Sequence, residues 1–568
     1  MEAEESTFLD VVSIKTVTAN LYQLLTPGSL RNLRISCTAA RDAVEESMSE
    51  LQLDEGQLHL IAKDFDDRTP SRLRPRTLVL DLSWMPRITV VACATRSATT
   101  YMALMTLRDR GCFGEVNTLK LSRCPWLLTD RGPAETVPGF PKLTALDIHG
   151  LNEVESLSTG VLARLTMLTS LQLDGPVAVT EGTSINVLSC LTGLKSLSLS
   201  EIRAPRDVPR NEDDDSEPDG PMFHPGLVLD ASTLAALTGL TSLRLVFSKG
   251  LGGPHLLGGI ASSDEQAQAL TQMTSLKSVT FWDYSNDTDF SERPWMPVVM
   301  RALPGWVRAW GPGLTELVLR FWDLQADASA AVLDHCPHLT KFHCNSWRPE
   351  EVVRQRGQPL VMARIQDLAV QRITPEQAAA VQLPSLQAAE MRVLVSGAGA
   401  AHLAALQATV ERVLWAAETI EIEHTLFIEN MMEDEEGEPD ADRSLAAAAT
   451  QVVGTLAGLP AVLQARGQNM PKVQLRRFSF SPAALQRLVE VLPGMHTLEL
   501  RRCWFHDNAY LQLGRCSTLT NLATAKCGGM ADAAAFGVFV ASAPQGSKLG
   551  WTIEGPVDTS YVEVRRIW

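Results

Sequence analysis

A short phrase recurs along the chain and constrains its fold more than any other feature. Its pattern is apolar, two variable residues, apolar, one variable residue, apolar, as in Leu143-Thr-Ala-Leu146-Asp-Ile148. The copies begin at Val116, Leu143, Leu168, Leu194, Leu240, Leu276, Leu314, Leu339, Ile365, Leu475, Met495 and Leu519. The last apolar-x-apolar pair predicts a short strand, because successive side chains of a strand point to opposite faces. One unit cannot bury its own apolar face, so neighbouring units must stack.

Helical signals lie between several of these strands. The segments 231–239, 328–335 and 481–492 are rich in helix formers and end at or just before a Gly or a Pro, which stop helices. In the Ala-rich stretch 371–470 the strand candidates, 386–391 and 419–422, are weaker. The predicted unit is strand, turn, helix, turn. Stacking such units gives an α/β solenoid with a parallel sheet on the concave face and helices on the convex face.

The repeat resembles that of the leucine-rich-repeat family over residues 72–555. The fullest match runs from Leu119-Lys-Leu121 through Cys124 to Thr129-Asp130 and is similar to the cysteine-containing subclass, in which a Cys follows the strand. Cys503 and Cys527 have the same offset from their own phrases. Other copies have a different residue there, including Trp322 and Trp347. The resemblance implies a leucine-rich-repeat solenoid and recognition of another macromolecule.

Insertions interrupt the repeat spacing. Two acidic stretches, at 206–226 and 432–443, are rich in Asp, Glu and Pro. Like charges repel and bury little apolar surface, so we expect both to be disordered loops. The segment 350–357, rich in Arg, Gln and Glu, is expected to be a loop too. Residues 556–568 are expected to form a C-terminal tail.

Residues 1–60 precede the repeat and are expected to form a small helical segment. They resemble the second part of an F-box, with matches at Leu21, Leu24, Leu25, Pro27, Leu30, Leu33, Arg34, Cys37 and Arg41. The resemblance implies that this segment docks the Skp adaptor of a cullin-RING ubiquitin ligase, with the repeats holding the substrate. The alternative is an N-terminal cap, since a solenoid must cover its first apolar edge. The two roles are compatible.

The formal net charge of −16 argues against a general nucleic-acid binder and against docking on an anionic membrane. No uninterrupted apolar run approaches the roughly 20 residues that cross a bilayer. The acidic start has no signal-peptide character, so we expect a cytosolic or nuclear protein with reduced cysteines. We expect a monomer outside its complex.

Motifs of catalysis are missing from the sequence. It has no phosphate-binding loop ending in Gly-Lys-Ser/Thr and no HExxH metal motif. The cluster around His335, Cys336 and His338 lacks zinc-finger spacing, and strand alternation should separate His343 from Cys344. We therefore expect no enzyme, cofactor or metal.

The outward strand positions should line the concave face and contact a protein partner or substrate. Trp and Arg are enriched among residues that dominate binding energy. Trp282, Arg320 and His343 fall on successive phrases and are expected to lie side by side. The candidate contact residues are Lys120, Arg244, Trp282, Arg320, His343, Asn345, Glu499 and Arg501.

Overall fold

The computed structural model describes residues 50–53, 77–81, 114–122, 140–149, 156–157, 162–174, 178–179, 185–200, 231–247, 263–283, 296–358, 360–396, 400–425, 439–507, 509–516, 518–519, 521–525, 527, 550–554 and 561–567. The chain divides into two compact units, Met1–Ala302 and Leu303–Trp568.

The first unit is built on a sheet of parallel strands. They are β1 (Glu50–Leu53), β2 (Thr77–Asp81), β3 (Thr118–Ser122), β4 (Ala145–His149), β5 (Ser156–Leu157), β6 (Ser170–Asp174), β7 (Ala178–Val179), β8 (Ser196–Ser200), β9 (Ser242–Phe247) and β10 (Ser278–Asp283). Apart from β5 and β7, which pair with each other, each strand pairs with the next in chain order. The middle apolar residues of the phrases lie directly opposite one another and are buried, as Leu146, Leu171 and Leu197 illustrate.

A threonine after the first apolar residue of the phrase joins neighbouring repeats. The hydroxyl of Thr169 donates to the carbonyl of Thr144 at 3.1 Å, and that of Thr144 donates to Asn117 O at 3.1 Å. The backbone amides of the same threonines donate to the same carbonyls. Thr241 and Thr340 repeat the arrangement on Lys195 and Thr315. Where the phrase begins Leu-Thr, the threonine therefore joins its strand entry to the preceding one.

The helices in the part of the first unit that the structure describes are short. They are α1 (Ala231–Ala235) and α2 (Asp264–Ala269), and α3 (Met296–Trp310) continues into the second unit. α1 ends before Gly239, so the helix predicted for 231–239 is shorter than expected. α2 begins where the Ser263 hydroxyl accepts from the Gln266 amide at 3.2 Å, the usual way of satisfying a free helical N–H.

The second unit continues the same architecture. Its strands are β11 (Glu316–Leu324), β12 (Lys341–Trp347), β13 (Leu360–Val361), β14 (Asp367–Ile373), β15 (Val381–Gln382), β16 (Ala388–Val395), β17 (Ala417–His424), β18 (Lys472–Arg476), β19 (Ser479–Phe480), β20 (Thr497–Arg501), β21 (Trp504–Phe505), β22 (Asn521–Ala525), β23 (Gly550–Glu554) and β24 (Tyr561–Ile567). The parallel order is β11-β12-β14-β16-β17-β18-β20-β22. The weak strand candidates in 371–470 are thus full members of the sheet.

The sheet ends in two antiparallel pairings. β24 lies antiparallel to β22 and to β23. The expectation of a tail at 556–568 is therefore wrong for Tyr561–Ile567, which forms a strand. An antiparallel strand on the last parallel one supplies partners for its edge, which would otherwise carry unpaired backbone groups.

Helices of the second unit lie between its strands in sequence. They are α4 (Ala326–His335), α5 (Pro349–Arg356), α6 (Pro375–Ala379), α7 (Ala400–Arg412), α8 (Pro439–Leu456), α9 (Leu459–Arg466) and α10 (Pro482–Val491). The helices predicted for 328–335 and 481–492 are confirmed. α10 begins at an N-cap, where Ser481 Oγ accepts from the Ala484 amide. α6 begins at a capping box made by Thr374 and Gln377.

Two segments expected to be loops are helical. Residues 350–357 were expected to form a loop, but α5 covers Pro349–Arg356. Proline at its start, acidic residues in its first turn and arginines in its last turn all suit a helix, and Gly357 ends it in the left-handed region. The last residues of the acidic stretch 432–443 belong to α8, which starts at Pro439. The stretch 206–226 lies outside the described residues.

The N-terminal segment is not wholly helical. Glu50–Leu53 is a strand that pairs with Thr77–Asp81, so the sheet begins inside the segment 1–60. The adaptor-docking candidates Leu21, Leu24, Leu25, Pro27, Leu30 and Leu33 lie outside the described residues.

One phrase is out of register with the sheet. The copy beginning at Leu475 predicts a strand around Phe478 and Phe480, but β18 covers Lys472–Arg476. The overlapping pattern Met470-x-x-Val473-x-Leu475 fits the phrase equally well. It is this pattern that forms β18, in which Val473 lies opposite Leu498 of β20. Phe478 and Phe480 are buried beyond the strand, where Phe480 joins the small β19–β21 ladder.

The position after the strand is buried in several repeats of the second unit. The Cys503 thiol is buried and donates to the carbonyl of Leu475 at 3.4 Å, and the half-buried Cys527 donates in the same way to Leu500 at 3.3 Å. Trp322 and Trp347 have the same offset and are 0% and 1% exposed. Cysteine and tryptophan therefore both serve as buried residues at this offset.

Residues Leu445–Arg466 are long and apolar enough, by length and composition alone, to cross a membrane. The stretch comprises most of α8 and all of α9. Val452, Val453 and Leu456 of α8 are at most 1% exposed, and α8 contacts α7 and α10. Such burial within the protein is typical of a core helix.

Candidate binding surface on the open sheet face

The open face is the sheet face opposite the one that contacts the helices. In the second unit it carries polar residues at alternate strand positions, while their sequence neighbours are buried. The open-face positions are Glu316, Val318, Arg320, Lys341, His343, Asn345, Asp367, Ala369, Gln371, Glu390, Arg392, Thr419, Glu421, Glu423, Lys472, Gln474, Arg476, Thr497, Glu499 and Arg501. This is the surface that the sequence predicts as concave.

Arg320 and His343 lie on adjacent strands of this face. Arg320 Nη2 reaches Glu390 Oε2 at 2.9 Å, across β12 and β14. His343 Nε2 lies 3.0 Å from Asp367 Oδ1, and Lys341 Nζ lies 3.0 Å from the other carboxylate oxygen of Asp367. As predicted, His343 and Cys344 point to opposite faces, since Cys344 is buried.

Burial and neighbouring charges have opposite effects on the pKa values of His343 and Asp367. Burial lowers the pKa of His343, and the hydrogen bond and charge of Asp367 only partly offset it. Burial raises the pKa of Asp367, but hydrogen bonds from Lys341 and His343 outweigh it, so the pKa is below its ordinary value. At neutral pH the group is an ionised carboxylate between a lysine and a neutral imidazole.

Asn345 does not present its side chain for contact as expected. It is only 8% exposed, and its amide nitrogen donates to Asp323 Oδ1 at 2.7 Å. Ser346 donates to the same oxygen. The amide therefore stabilises the end of β11, and the prediction of Asn345 as a partner contact is wrong.

A second cluster covers β16, β17, β18 and β20. Glu421 Oε1 lies 2.5 Å from Arg392 Nε and 2.7 Å from Arg476 Nε. Glu423 lies 3.1 Å from Arg477 and 3.4 Å from Arg392. Each of the two carboxylates is thus shared between two guanidinium groups.

The third carboxylate of this cluster is Glu499. It pairs with Lys472 at 2.5 Å and with Arg501. The Glu499 side chain is 3% exposed, whereas that of Arg501 is 42% exposed. Glu499, predicted as a partner contact, is therefore covered by the cations above it, and Arg501 is the accessible member of the pair.

Lys120, Arg244 and Trp282 belong to the first unit. Lys120 is exposed on β3 opposite Asp147, Arg244 is half-buried opposite Thr280, and Trp282 is half-buried opposite Val246. Because Trp282 and Arg320 lie in different units, the expected row of Trp282, Arg320 and His343 stays a prediction.

One serine–histidine pair has the residue types of nucleophilic catalysis. Ser479 Oγ and His506 Nε2 lie 2.5 Å apart. Ser479 is 0% exposed, so no substrate can reach its hydroxyl in this conformation. Among the described residues no group of three or more His, Cys, Asp or Glu side chains could hold a metal ion.

No family model matches the sequence, and no curated protein does either. Solved structures do match. One is a leucine-rich-repeat protein of Leptospira interrogans, with 12% identity, a TM-score of 0.31, and coverage of 84% of this chain and 83% of that chain. Another is the plant peptide hormone receptor RGFR1 in complex with RGF2, with 11% identity, a TM-score of 0.25, and coverage of 85% of this chain and 63% of that chain.

The chain has the leucine-rich-repeat fold. The recurring phrase and the buried, in-register leucines of its parallel strands define it. The superpositions themselves are too loose to relate individual residues of the matched proteins to this chain.

Sequence reasoning missed the residues that build the second cluster. Arg392, Glu421, Glu423 and Arg476 were not singled out, because β16 and β17 were weak candidates and the phrase at Leu475 was displaced. The alternation Glu-x-Glu in 421–423 was the available signal, since charges two apart fall on one face of a strand.

Proposed function

We propose that the chain is a recognition protein whose open face binds another protein. The observation that carries the proposal is the set of charged side chains held in fixed positions on the open face of Leu303–Trp568. Arg320, His343, Lys341 and Arg392 are each paired with a carboxylate of another strand. Side chains ordered before binding lose less conformational entropy when a partner arrives.

A protein partner fits this surface better than nucleic acid does. The open face carries both signs of charge, and the chain as a whole has a net charge of −16. Nucleic-acid binding needs a predominantly basic surface to displace counterions. Alternating charges instead favour a protein surface of complementary pattern, because such patterns confer specificity.

The test compares interaction partners of two variants in the cells of origin. Arg320→Ala with His343→Ala should lose a protein that the wild-type chain captures. Arg354→Ala is the control, since Arg354 is exposed on α5 in the helical layer. An interactome unchanged by the open-face variant, or one changed equally by the control, would contradict the proposal.

A finer hypothesis is that the bound protein is a substrate for ubiquitination. It rests on the resemblance of residues 21–41 to an F-box, whose Skp adaptor docks on a helical module. The wild-type chain should then co-purify with the Skp adaptor, and Leu30→Asp with Leu33→Asp should abolish this. Without adaptor in the wild-type sample, the chain would instead be a scaffold or assembly subunit with no link to ubiquitin.

A further inference from the structure

Cations form the outer layer of the cluster on β16–β20, which we call the arginine strip. It consists of Arg392, Lys472, Arg476, Arg477 and Arg501, each in an ion pair with Glu421, Glu423 or Glu499. The exposed fractions separate the two layers. The carboxylate side chains are 3–17% exposed, and the cations are 19–42% exposed.

The charges of the two layers do not cancel. Five cations share three carboxylates in these ion pairs, so the strip carries a positive excess. The nearby carboxylates of Glu390 and Glu418 are exposed, and Glu390 is paired with Arg320.

Two arginines of the strip face each other directly. Arg476 and Arg501 are register partners on adjacent strands, where backbones are about 4.8 Å apart. Like charges in opposite positions destabilise a sheet. Burial, followed by the charge of Arg392, lowers the pKa of Arg476, and Arg501 contributes in the same direction.

A neutral acceptor lies beneath this pair. With its amide oxygen turned toward the guanidinium groups, Gln474 accepts from Arg476 Nη2 at 2.9 Å and from Arg501 Nε at 3.0 Å. Gln474 is 5% exposed. The oxygen fixes the orientation of both guanidinium groups but adds no negative charge to the one carboxylate that each already contacts, Glu421 for Arg476 and Glu499 for Arg501. A carboxylate arriving from solvent would add that charge, and planar guanidinium groups match carboxylates well.

We propose that the arginine strip is the part of the open face that selects the partner, and that it binds an extended segment rich in Asp and Glu side chains. The inference rests on the proposed function, since it names the chemistry of the protein bound there. Acidic side chains along an extended segment alternate about 6.6 Å apart on one side. The cations lie on β16, β18 and β20, which span three strand intervals because β17 lies between β16 and β18. At about 4.8 Å per interval this is roughly 14 Å, close to the length covered by three such acidic side chains.

The experiment measures binding of a fluorescein-labelled decaglutamate peptide to the full chain by fluorescence anisotropy. Arg476→Gln with Arg501→Gln should weaken binding about tenfold or more, and raising the salt concentration should weaken wild-type binding. The two substitutions leave no carboxylate alone, because Arg392 still pairs with Glu421 and Lys472 with Glu499. Arg501→Lys, which keeps the charge, should retain most of the affinity.

Two controls make the result specific. Arg487→Gln removes the same charge from an exposed position of α10 and should leave binding unchanged. A decaglutamine peptide should not bind. The proposal is overturned if decaglutamate does not bind the wild-type chain, or if the Arg476→Gln with Arg501→Gln variant binds it as well as the Arg487→Gln control does. It is also overturned if a decathymidine oligonucleotide or inorganic phosphate competes as effectively as unlabelled decaglutamate. The two proposals can fail separately. If the Arg320→Ala with His343→Ala variant loses a cellular partner but decaglutamate does not bind the wild-type chain, the proposed function stands and only this inference is overturned.

Discussion

A threonine hydroxyl group joins successive repeats at the entry to several strands. Thr144, Thr169, Thr241 and Thr340 all donate to a carbonyl of the strand entry before them. Each of these carbonyls also accepts two backbone amides, from the threonine and from the residue after it, so each accepts three hydrogen bonds. The hydroxyl is the donor that the threonine side chain adds to the two backbone bonds.

Replacing one of these threonines should therefore cost stability. Thr340→Val keeps the shape of the side chain and removes the hydroxyl bond to the carbonyl of Thr315, which retains its two backbone amide donors. We expect a loss of about 1 kcal/mol in the free energy of unfolding, measured by urea denaturation. Thr192→Val, at an exposed turn position, should have little effect. Equal losses in both variants would show that the hydroxyl bond does not contribute.

Burial of His424 predicts an acid-sensitive fold. His424 is 0% exposed and packs edge-on against Phe478. Burial, with a smaller contribution from His402, lowers its pKa from 6.5 to about 4. The unfolded chain binds a proton below pH 6.5 and the folded chain only below about 4, so stability is full above 6.5 and falls between these values.

The loss across that window should reach roughly 3 kcal/mol, since one pKa unit corresponds to about 1.4 kcal/mol. His424→Phe removes the titrating group. The free energy of unfolding of this variant, measured from pH 7 to 4, should fall less steeply than that of the wild type. Parallel curves would contradict the assignment, because the remaining carboxylates titrate in both proteins.

At the scale of elements, sequence patterns predicted those helices whose ends are determined by residues close in sequence. The helix at Pro482–Val491 follows from Ser481 at its N-cap and Pro493 beyond its end. The helix at Pro349–Arg356 was missed because its mean apolar content is low, although its proline, its charge order and Gly357 are all helix signals. β18 was misplaced because two overlapping phrases, which begin five residues apart at Met470 and Leu475, fit equally well.

Gly357 tests how the end of α5 is held. Its φ of 70° lies in the left-handed region, where a Cβ is unfavourable, although open space surrounds it. Gly357→Ala should lower the free energy of unfolding by about 1 kcal/mol. Gly454→Ala is the matched control. Gly454 also has open space but lies inside α8, so alanine there should stabilise the protein by about 0.5–1 kcal/mol. If both variants changed the free energy of unfolding in the same direction, the backbone conformations assigned to Gly357 and Gly454 would be contradicted.

At the scale of the whole molecule, the fold could be predicted and the binding surface only in part. Leucine periodicity is local, so it identifies the stacked strands without knowledge of what lies between them. The arginine strip depends on register between β17 and β18, which the acidic stretch and two helices separate in sequence. No local pattern specifies that Glu421 lies opposite Gln474 and between Arg392 and Arg476.

Photo-crosslinking in cells tests most directly whether the open face is the binding surface. p-Benzoylphenylalanine would replace Gln371, an open-face residue of β14, or Gln486, an exposed residue of α10. We predict a discrete crosslinked protein from position 371 and none of that mass from position 486. A partner captured from position 486 and not from 371 would place recognition on the helical layer and contradict the proposed function.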